Sequence, residues 1–480
     1  MPISSYFKRD GAARGLVTLK LIAIAVLVLI FLIPVSMVRG LINERQFRQQ
    51  DVVREIGNTW GAPQTLAGPI LVVPYNPLTT EGKRKEDETK YAYFLPEKLD
   101  VSGTVAVEIR SRGIYDVPVY SAALEAAGFF RAPDIKLLSL KPEQMRWDKA
   151  QVVVGLPDLR GVREEISLDW AGAKTTFAPG VVAPVVPTGV SAAVALQLSE
   201  GADARQGVTY PFTINLNTHG SEQLFFVPVG KETNVAMNGN WPSPSFSGAF
   251  LPESRELKSD GFTATWRVLD LNRDLPQQWV DGDGYGRQLG FAGTAEGLRF
   301  EPERFIPFPG DHPVKAGFSS DQGAFGVRLF TPVDIYQKSL RSVKYGISVI
   351  ALVFVVIFFV EFSARKRVHP VQYVLIGLAL VIYYTLLLAL AEHIRFGWAY
   401  LIASFAVIGL NTLFVRSAME SGVRALLTGG ILTLFYGFVY ILLQLEDYAL
   451  LLGSIALFIT LAIIMFLSRK IDWYGTERIT

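Results

Sequence analysis

VKYGISVIALVFVVIFFVEF (residues 343–362) and VQYVLIGLALVIYYTLLLALA (residues 371–391) decide how this chain folds. Each is as long as the roughly 20 apolar residues that a helix needs to cross a hydrocarbon core. The apolar texture runs on almost to Leu467, with further segments at Phe396–Val415, Ala425–Leu443 and Ala449–Leu467. One more such run, Leu16–Val35, lies near the N-terminus. Lipid offers no partner to an open backbone group, so all six segments are expected to be helices. Between the first and the second lies a polar stretch of about 300 residues, punctuated by Pro and Gly, long enough to bury its own core.

The bulk numbers agree with two unlike parts. Mean hydropathy is +0.30, too apolar for an ordinary soluble chain with 19% charged residues. The net charge of +2 gives no global field toward nucleic acid, so none is expected as a partner. Cysteine is absent, which excludes disulfide staples, thiolate catalysis and Cys-based metal sites. The four histidines, His219, His312, His369 and His393, are far apart, so a His-rich metal site is not expected. No cofactor is implied.

Charge asymmetry in short loops sets orientation. Lys8, Arg9 and Arg14 precede the first apolar run; Arg365, Lys366 and Arg367 follow the second. Arg416 and Arg424 separate the fourth and fifth, and Arg469, Lys470 and Arg478 follow the sixth. With six spans, all of these fall on one side, the cytoplasm. The opposite short loops carry Glu392, His393 and Arg395, then Glu446 and Asp447. Both termini are then cytoplasmic and Arg39–Arg341 lies outside. Cations flanking that long segment (Arg39, Arg45, Arg48, Lys338, Arg341) weigh less, because long loops translocate largely regardless of charge. The first apolar run is longer than a signal-peptide core and lacks an A-x-A-like cleavage site, so it reads as an uncleaved anchor.

The expected fold is an α+β membrane protein: a large antiparallel β-sandwich-like periplasmic domain plus six transmembrane helices, one N-terminal and five C-terminal. Its parts are a cytoplasmic tail (1–15), a first transmembrane helix (16–36), the periplasmic β-rich domain (37–342), a five-helix bundle (343–468) and a second cytoplasmic tail (469–480). LINERQFRQQDVVREIG (41–57) reads as a helix leaving the membrane and closed by Gly57. Thereafter the texture is alternating. VSGTVAVEIR places Val105, Val107 and Ile109 on one face, and YPFTINLN does the same with Phe212, Ile214 and Leu216. EQLFFVPVG, FTATWRVLD and GVRLFTPVDIY have similar strand-like composition. Ser121–Phe130 and Pro142–Ala150 are candidate short helices, and Lys83–Lys90 a candidate hairpin tip.

Motifs that carry chemistry are few. Asp281-Gly282-Asp283-Gly284-Tyr285-Gly286 looks like the start of a calcium loop, but the further oxygen ligands and the closing Glu are missing, so a plain turn is expected. Ser319-Ser320-Asp321 lacks a nucleophile elbow, and no phosphate-binding glycine loop is present. The chain is therefore not expected to be an enzyme. Trp241, Phe246 and Phe250 lie in a Pro-rich loop that is a candidate binding surface; the plainer reading is a packed connection between strands. In the apolar segments, Tyr383, Tyr384 and Asn411 are the candidate intramembrane polar site, with interhelical packing as the plainer role for Asn411. Glu361 lies one turn before Arg365 and reads as interfacial, as does His369 at a helix start marked by Pro370.

Several blocks carry a resemblance. FLIPVSMVRGLINER (31–45), PQTLAGP (63–69), WPSPSFSGAFLP (241–252), HPVQYVLIGLAL (369–380), LLLALAEH (386–393) and SRKIDWYG (468–475) are similar to the CreD family. They span essentially the whole chain. The resemblance implies an inner-membrane protein of Gram-negative bacteria. It also implies links to cell-envelope integrity, to tolerance of a nuclease colicin, and to a two-component envelope-stress response connected with β-lactams. It brings no catalytic residues. The leading expectation is a non-enzymatic envelope-maintenance protein. Its partners would be the lipid bilayer and a periplasmic or inner-membrane protein, a lipid or a cell-wall component. The alternatives are a membrane-protein insertase or assembly factor, which YidC resembles in architecture only, and a lipid or small-molecule transporter.

Overall fold

A computed structural model describes residues 7–78, 88–196, 208–273, 275–281, 323–329, 335–364, 368–445 and 448–468. Two compact units emerge: Met1–Gln49 with Val333–Thr480, and Gln50–Pro332. The first is helical and the second is built of sheets.

The helical unit begins with α1 (Phe7–Ile30), followed by α2 (Leu32–Trp60). Pro34 cannot donate to Ile30 and its ring crowds that carbonyl, which accounts for the interruption at Phe31. Backbone bonds still cross it, from Phe31 N to Leu27 O at 3.0 Å and from Val35 N to Phe31 O at 3.2 Å. Next come α3 (Ile335–Lys344) and α4 (Gly346–Ala364), bent by 41° at Tyr345. Then follow α5 (Pro370–Ala391), α6 (Phe396–Met419), α7 (Gly422–Gln444) and α8 (Ala449–Ser468). All six apolar segments fall on these helices. Among the described residues, four stretches are long and apolar enough to cross a membrane: Leu19–Trp60, Pro370–Ala391, Phe396–Met419 and Gly422–Gln444. They become five when α3 and α4 count as one bent span, and α8 contributes a shorter apolar run, Leu451–Ile463. Phe405, Leu413, Leu426, Leu434 and Phe458 are all exposed. An apolar belt of that size is unfit for water and suits lipid.

Among the described residues, the β-rich unit contains two sheets. The nine-stranded sheet runs β13 (Pro244–Gly248), β17 (Phe325–Leu329), β11 (Gln223–Val227), β1 (Gln64–Tyr75), β5 (Gln151–Gly155), β9 (Gly189–Ala193) and β8 (Ala178–Pro179). β2 (Lys90–Phe94) also pairs with β1 and carries β16 (Gln278–Val280). The eight-stranded sheet runs β14 (Ser254–Lys258), β15 (Gly261–Leu269), β12 (Glu232–Gly239), β3 (Lys98–Arg112), β4 (Tyr115–Arg131), β10 (Thr209–Ser221), β6 (Ser167–Trp170) and β7 (Ala173–Thr176). One hydrophobic cluster draws on both, from Ile70, Val153 and Phe226 in the first to Val101, Leu216 and Trp266 in the second.

The sheets are mixed rather than purely antiparallel. β1 pairs parallel with β11, and β3 parallel with β12. The reason is a change of sheet: β10 ends at Ser221 and β11 begins at Gln223, so the chain crosses from one sheet to the other through Glu222 alone. That corner needs the left-handed φ of +60° found at Glu222. Alternation in sequence marks the buried face but not the direction of a neighbour.

Four local expectations need correction. Ser121–Phe130 is not a helix but the middle of β4, paired on one side with β3 and on the other with β10. Its Ala122, Leu124, Ala126 and Phe130 are buried in strand alternation, and two ladders outweigh the helix propensity of Ala, Leu and Glu. Pro142–Ala150 forms only two short 3₁₀ turns, Pro142–Gln144 and Trp147–Lys149. Gly57 does not end its helix, which continues to Trp60. A Cβ there would lie 2.9 Å from Ser221 Oγ, so glycine serves close approach instead. Val105 and Val107 face inward as expected, whereas Ile109 is 54% exposed. Phe212, Ile214 and Leu216 are buried. Most of Lys83–Lys90, all of 282–286 and Ser319-Ser320-Asp321 lie outside the described residues.

Candidate functional site: carboxylate ties and a tyrosine cluster

A charge placed within an apolar helix has to find a partner. Lys20 on α1 finds Glu361 near the end of α4, and the two form a close ion pair. Glu361 is 7% exposed. Its Oε1 also accepts from Val368 N at 3.0 Å, and its Oε2 from Tyr373 OH at 3.0 Å. Lys20 Nζ donates further to Val368 O at 3.1 Å and lies 5.5 Å from the Tyr373 ring centroid. The start of α5 is fixed beside this cluster. His369 is its N-cap, accepting from Val371 N through Nδ1 at 3.3 Å, while Gln372 Oε1 accepts from His369 N at 3.1 Å. Pro370 then occupies the first turn, where its missing N–H costs nothing.

A second carboxylate stands at the other end of α5. Glu392 Oε1 accepts from Tyr336 OH at 3.3 Å and lies 3.8 Å from Arg45 Nε. Between the two ties, the junction of α1 and α2 packs on α5 through Phe31, whose ring fills the space above Gly377; a Cβ there would run into that ring.

The middle of the helical unit holds a tyrosine cluster. Tyr383 makes edge contacts with Tyr384, Tyr400 and Tyr436, at centroid distances of 4.9, 5.9 and 4.7 Å. Tyr400 OH donates to Tyr436 O at 2.7 Å, and Ser404 Oγ lies 3.5 Å from Tyr383 OH. Among the described residues, the Tyr436 hydroxyl and the buried Ser339 Oγ have no hydrogen-bond partner. The structure thus brings Tyr383 and Tyr384 together. Asn411 is also buried, but its amide is spent on Val407 O at 2.9 Å within its own helix. It lies seven residues beyond Ser404, about two turns along α6.

In the β-rich unit, Trp241, Phe246 and Phe250 do not share one loop, because Pro244–Gly248 pairs with β17 as strand β13; all three are partly buried against the core. Phe246 packs edge-on to Phe262 and Trp266, and Phe250 edge-on to Phe325. Trp241 Nε1 donates to Ser243 O at 3.1 Å. The outer face of the eight-stranded sheet carries an open hollow of about 460 Å³ whose rim includes Ser102, Thr104, Glu125, Asn217 and Asn238. Asp281 is occupied locally: its carboxylate accepts from Tyr91 N at 2.9 Å and from Tyr93 OH at 2.6 Å. Burial, then that carboxylate, push the Tyr93 hydroxyl well above the ordinary tyrosine range.

Sequence reading missed the pairing of Lys20 with Glu361. The signal was present, because each charge interrupts an apolar run, but their separation of 341 residues hid the partnership.

Comparison with known proteins covers nearly the whole chain. A sequence-family model described as "Inner membrane protein CreD" matches residues 16–474. The inner membrane protein CreD of Escherichia coli (strain K12) is 33% identical over 453 residues, spanning 93% of this chain and 92% of that protein.

Proposed function

This chain belongs to the CreD family of inner membrane proteins, and from that premise we propose that it maintains the cell envelope without catalysing a reaction, as part of an envelope-stress response of a Gram-negative bacterium. Its β-rich unit does the binding; its helices hold it in the bilayer. The observation that carries the reading is the make-up of the chain itself, one apolar helical unit joined to one large two-sheet unit, both within the family match. The open hollow on the eight-stranded sheet and the Trp241–Phe250 segment around β13 are the candidate surfaces for a periplasmic or inner-membrane protein, a lipid or a wall component. Six spans, two cytoplasmic tails (1–15 and 469–480) and a periplasmic 37–342 complete the proposal. They are supported by the short-loop cations.

The test replaces 50–332 by a short linker and confirms insertion by fractionation. Loss of complementation in a strain lacking the gene is the expected result; full rescue of envelope phenotypes overturns the binding role. Compartment-specific reporters inserted at Gly82 and at the C-terminus should be active on opposite sides of the membrane. Activity of both in one compartment overturns the orientation.

One observation favours a second reading. Among the described residues, the buried hydroxyls of Tyr436, which packs on Tyr383, and of Ser339 find no partner, which suits a polar passage for a lipid or small molecule. Unimpaired function in Tyr383→Phe and Asn411→Leu would remove that reading.

A further inference from the structure

The last turn of α2, within the β-rich unit, is fixed by one aromatic side chain. Trp60 Nε1 donates to Tyr120 O at 3.2 Å. Its indole stacks on the His219 ring, with centroids 4.3 Å apart and planes 11° from parallel. The Arg110 guanidinium lies 4.4 Å from the indole centroid and that of Arg163 5.8 Å. Arg163 Nε also donates to His219 Nδ1 at 3.1 Å.

That last bond fixes a protonation state. A ring nitrogen accepts only through a free lone pair, so Nδ1 carries no proton and the imidazole is neutral. Protonation would put a hydrogen on Nδ1 facing the Arg163 N–H, and a third cation beside two guanidinium groups. A charged imidazole can itself gain by stacking on an indole, but Arg110 and Arg163 already use that ring and are repelled by it.

The other charged groups nearby are already engaged. On β3, Glu108 pairs with Arg110 at 2.6 Å. On α2, Glu55 pairs with Arg112. Near the 3₁₀ turn Leu159–Gly161, Glu164 accepts from Asn217 at 2.6 Å, and Arg160 pairs with Asp158 at 2.9 Å. Burial, then Arg163 and Arg110, hold His219 below the ordinary histidine range, against a smaller opposing pull from Glu108.

We propose that Trp60, His219, Arg110 and Arg163 form an acid-released latch, in which protonation of His219 expels Arg163 from the ring nitrogen and frees Trp60 and the final turn of α2 from the sheet. Because the folded protein resists this proton, the latch is fully closed above the ordinary histidine range. It opens as pH falls through the depressed value. Its partner is the proton alone, so it stands independently of the binding role proposed above.

The chain contains no cysteine, so Thr59→Cys on the exposed side of that turn gives a single spin-label site in the full-length protein. In nanodiscs, the mobile spectral component should grow severalfold between about pH 7.5 and about pH 5, a span that brackets the histidine range. His219→Phe keeps a stacking ring and His219→Gln keeps an acceptor for Arg163, and neither titrates in this range. Loss of the pH response in both, whatever their mobility at neutral pH, upholds the latch. An unchanged spectrum in the unsubstituted background, or the same rise in either variant, overturns it.

Discussion

Lys20→Met is the sharpest perturbation of the helical unit. The substitution keeps an apolar side chain of similar length but leaves the Glu361 carboxylate with only Val368 N and Tyr373 OH as donors. Breaking a buried ion pair from one side costs about 3–5 kcal/mol. The Lys20 side chain is 25% exposed and that of Glu361 9%, so the low end, about 3 kcal/mol, applies. Glu361→Gln should cost less, about 1–2 kcal/mol, because a freed lysine can extend its ammonium toward polar surroundings. In the double variant no charge is stranded. Its loss should fall about 2 kcal/mol short of the sum of the single losses. Neutral interhelical hydrogen bonds average only about 0.6 kcal/mol, so a coupling of that size identifies an ionic tie. Reversible unfolding in mixed micelles, followed by far-UV circular dichroism for all four proteins, measures the cycle. Additivity within about 0.5 kcal/mol would refute the claim that these two residues tie α1 to α4.

Gly377→Ala should lower stability by about 1–3 kcal/mol, since its methyl would meet the Phe31 ring, and Phe31→Leu should recover part of that loss in thermal melts. Tyr400→Phe removes the donor to Tyr436 O and should cost about 1 kcal/mol, whereas Tyr436→Phe deletes a partnerless hydroxyl and should be neutral or slightly stabilising. Glu222 has its carboxyl raised by burial, against the pull of Arg328 and Arg54. Its unfavourable ionisation means stability is complete below the ordinary glutamate range and declines as pH rises through the elevated value. Glu222→Gln should flatten that decline in denaturant titrations taken across acid pH.

The helical unit was far more legible in the sequence than the β-rich one. Segments such as Val371–Ala391 and Phe396–Val415 match α5 and α6 within a few residues, because a hydrocarbon core imposes both length and composition. Phe212, Ile214 and Leu216 betrayed β10 through strict alternation. Ser121–Phe130 misled because Ala, Leu and Glu favour a helix locally, and only partners 20 residues upstream and some 90 downstream reverse that preference. The site residues divide similarly. Tyr383 and Tyr384 were visible as polar residues in an apolar run, but Tyr400 and Tyr436, which complete their cluster, lie on α6 and α7, and nothing local in the sequence joins them to α5. Trp60 with His219 was invisible, since 159 residues separate two rings that stack.

The crossing at Glu222 has a cost during synthesis. β1 leaves the ribosome early and can pair with β2 and β5, but its register with β11 requires Leu224–Val227, roughly 150 residues later. β17, which covers the far side of β11, follows about another hundred residues on. Until then the nascent chain carries bare hydrogen-bonding edges, the kind that invite pairing with a stranger. A ribosome stalled before residue 224 would therefore leave a sticky fragment, and holdase protection should matter most in that interval.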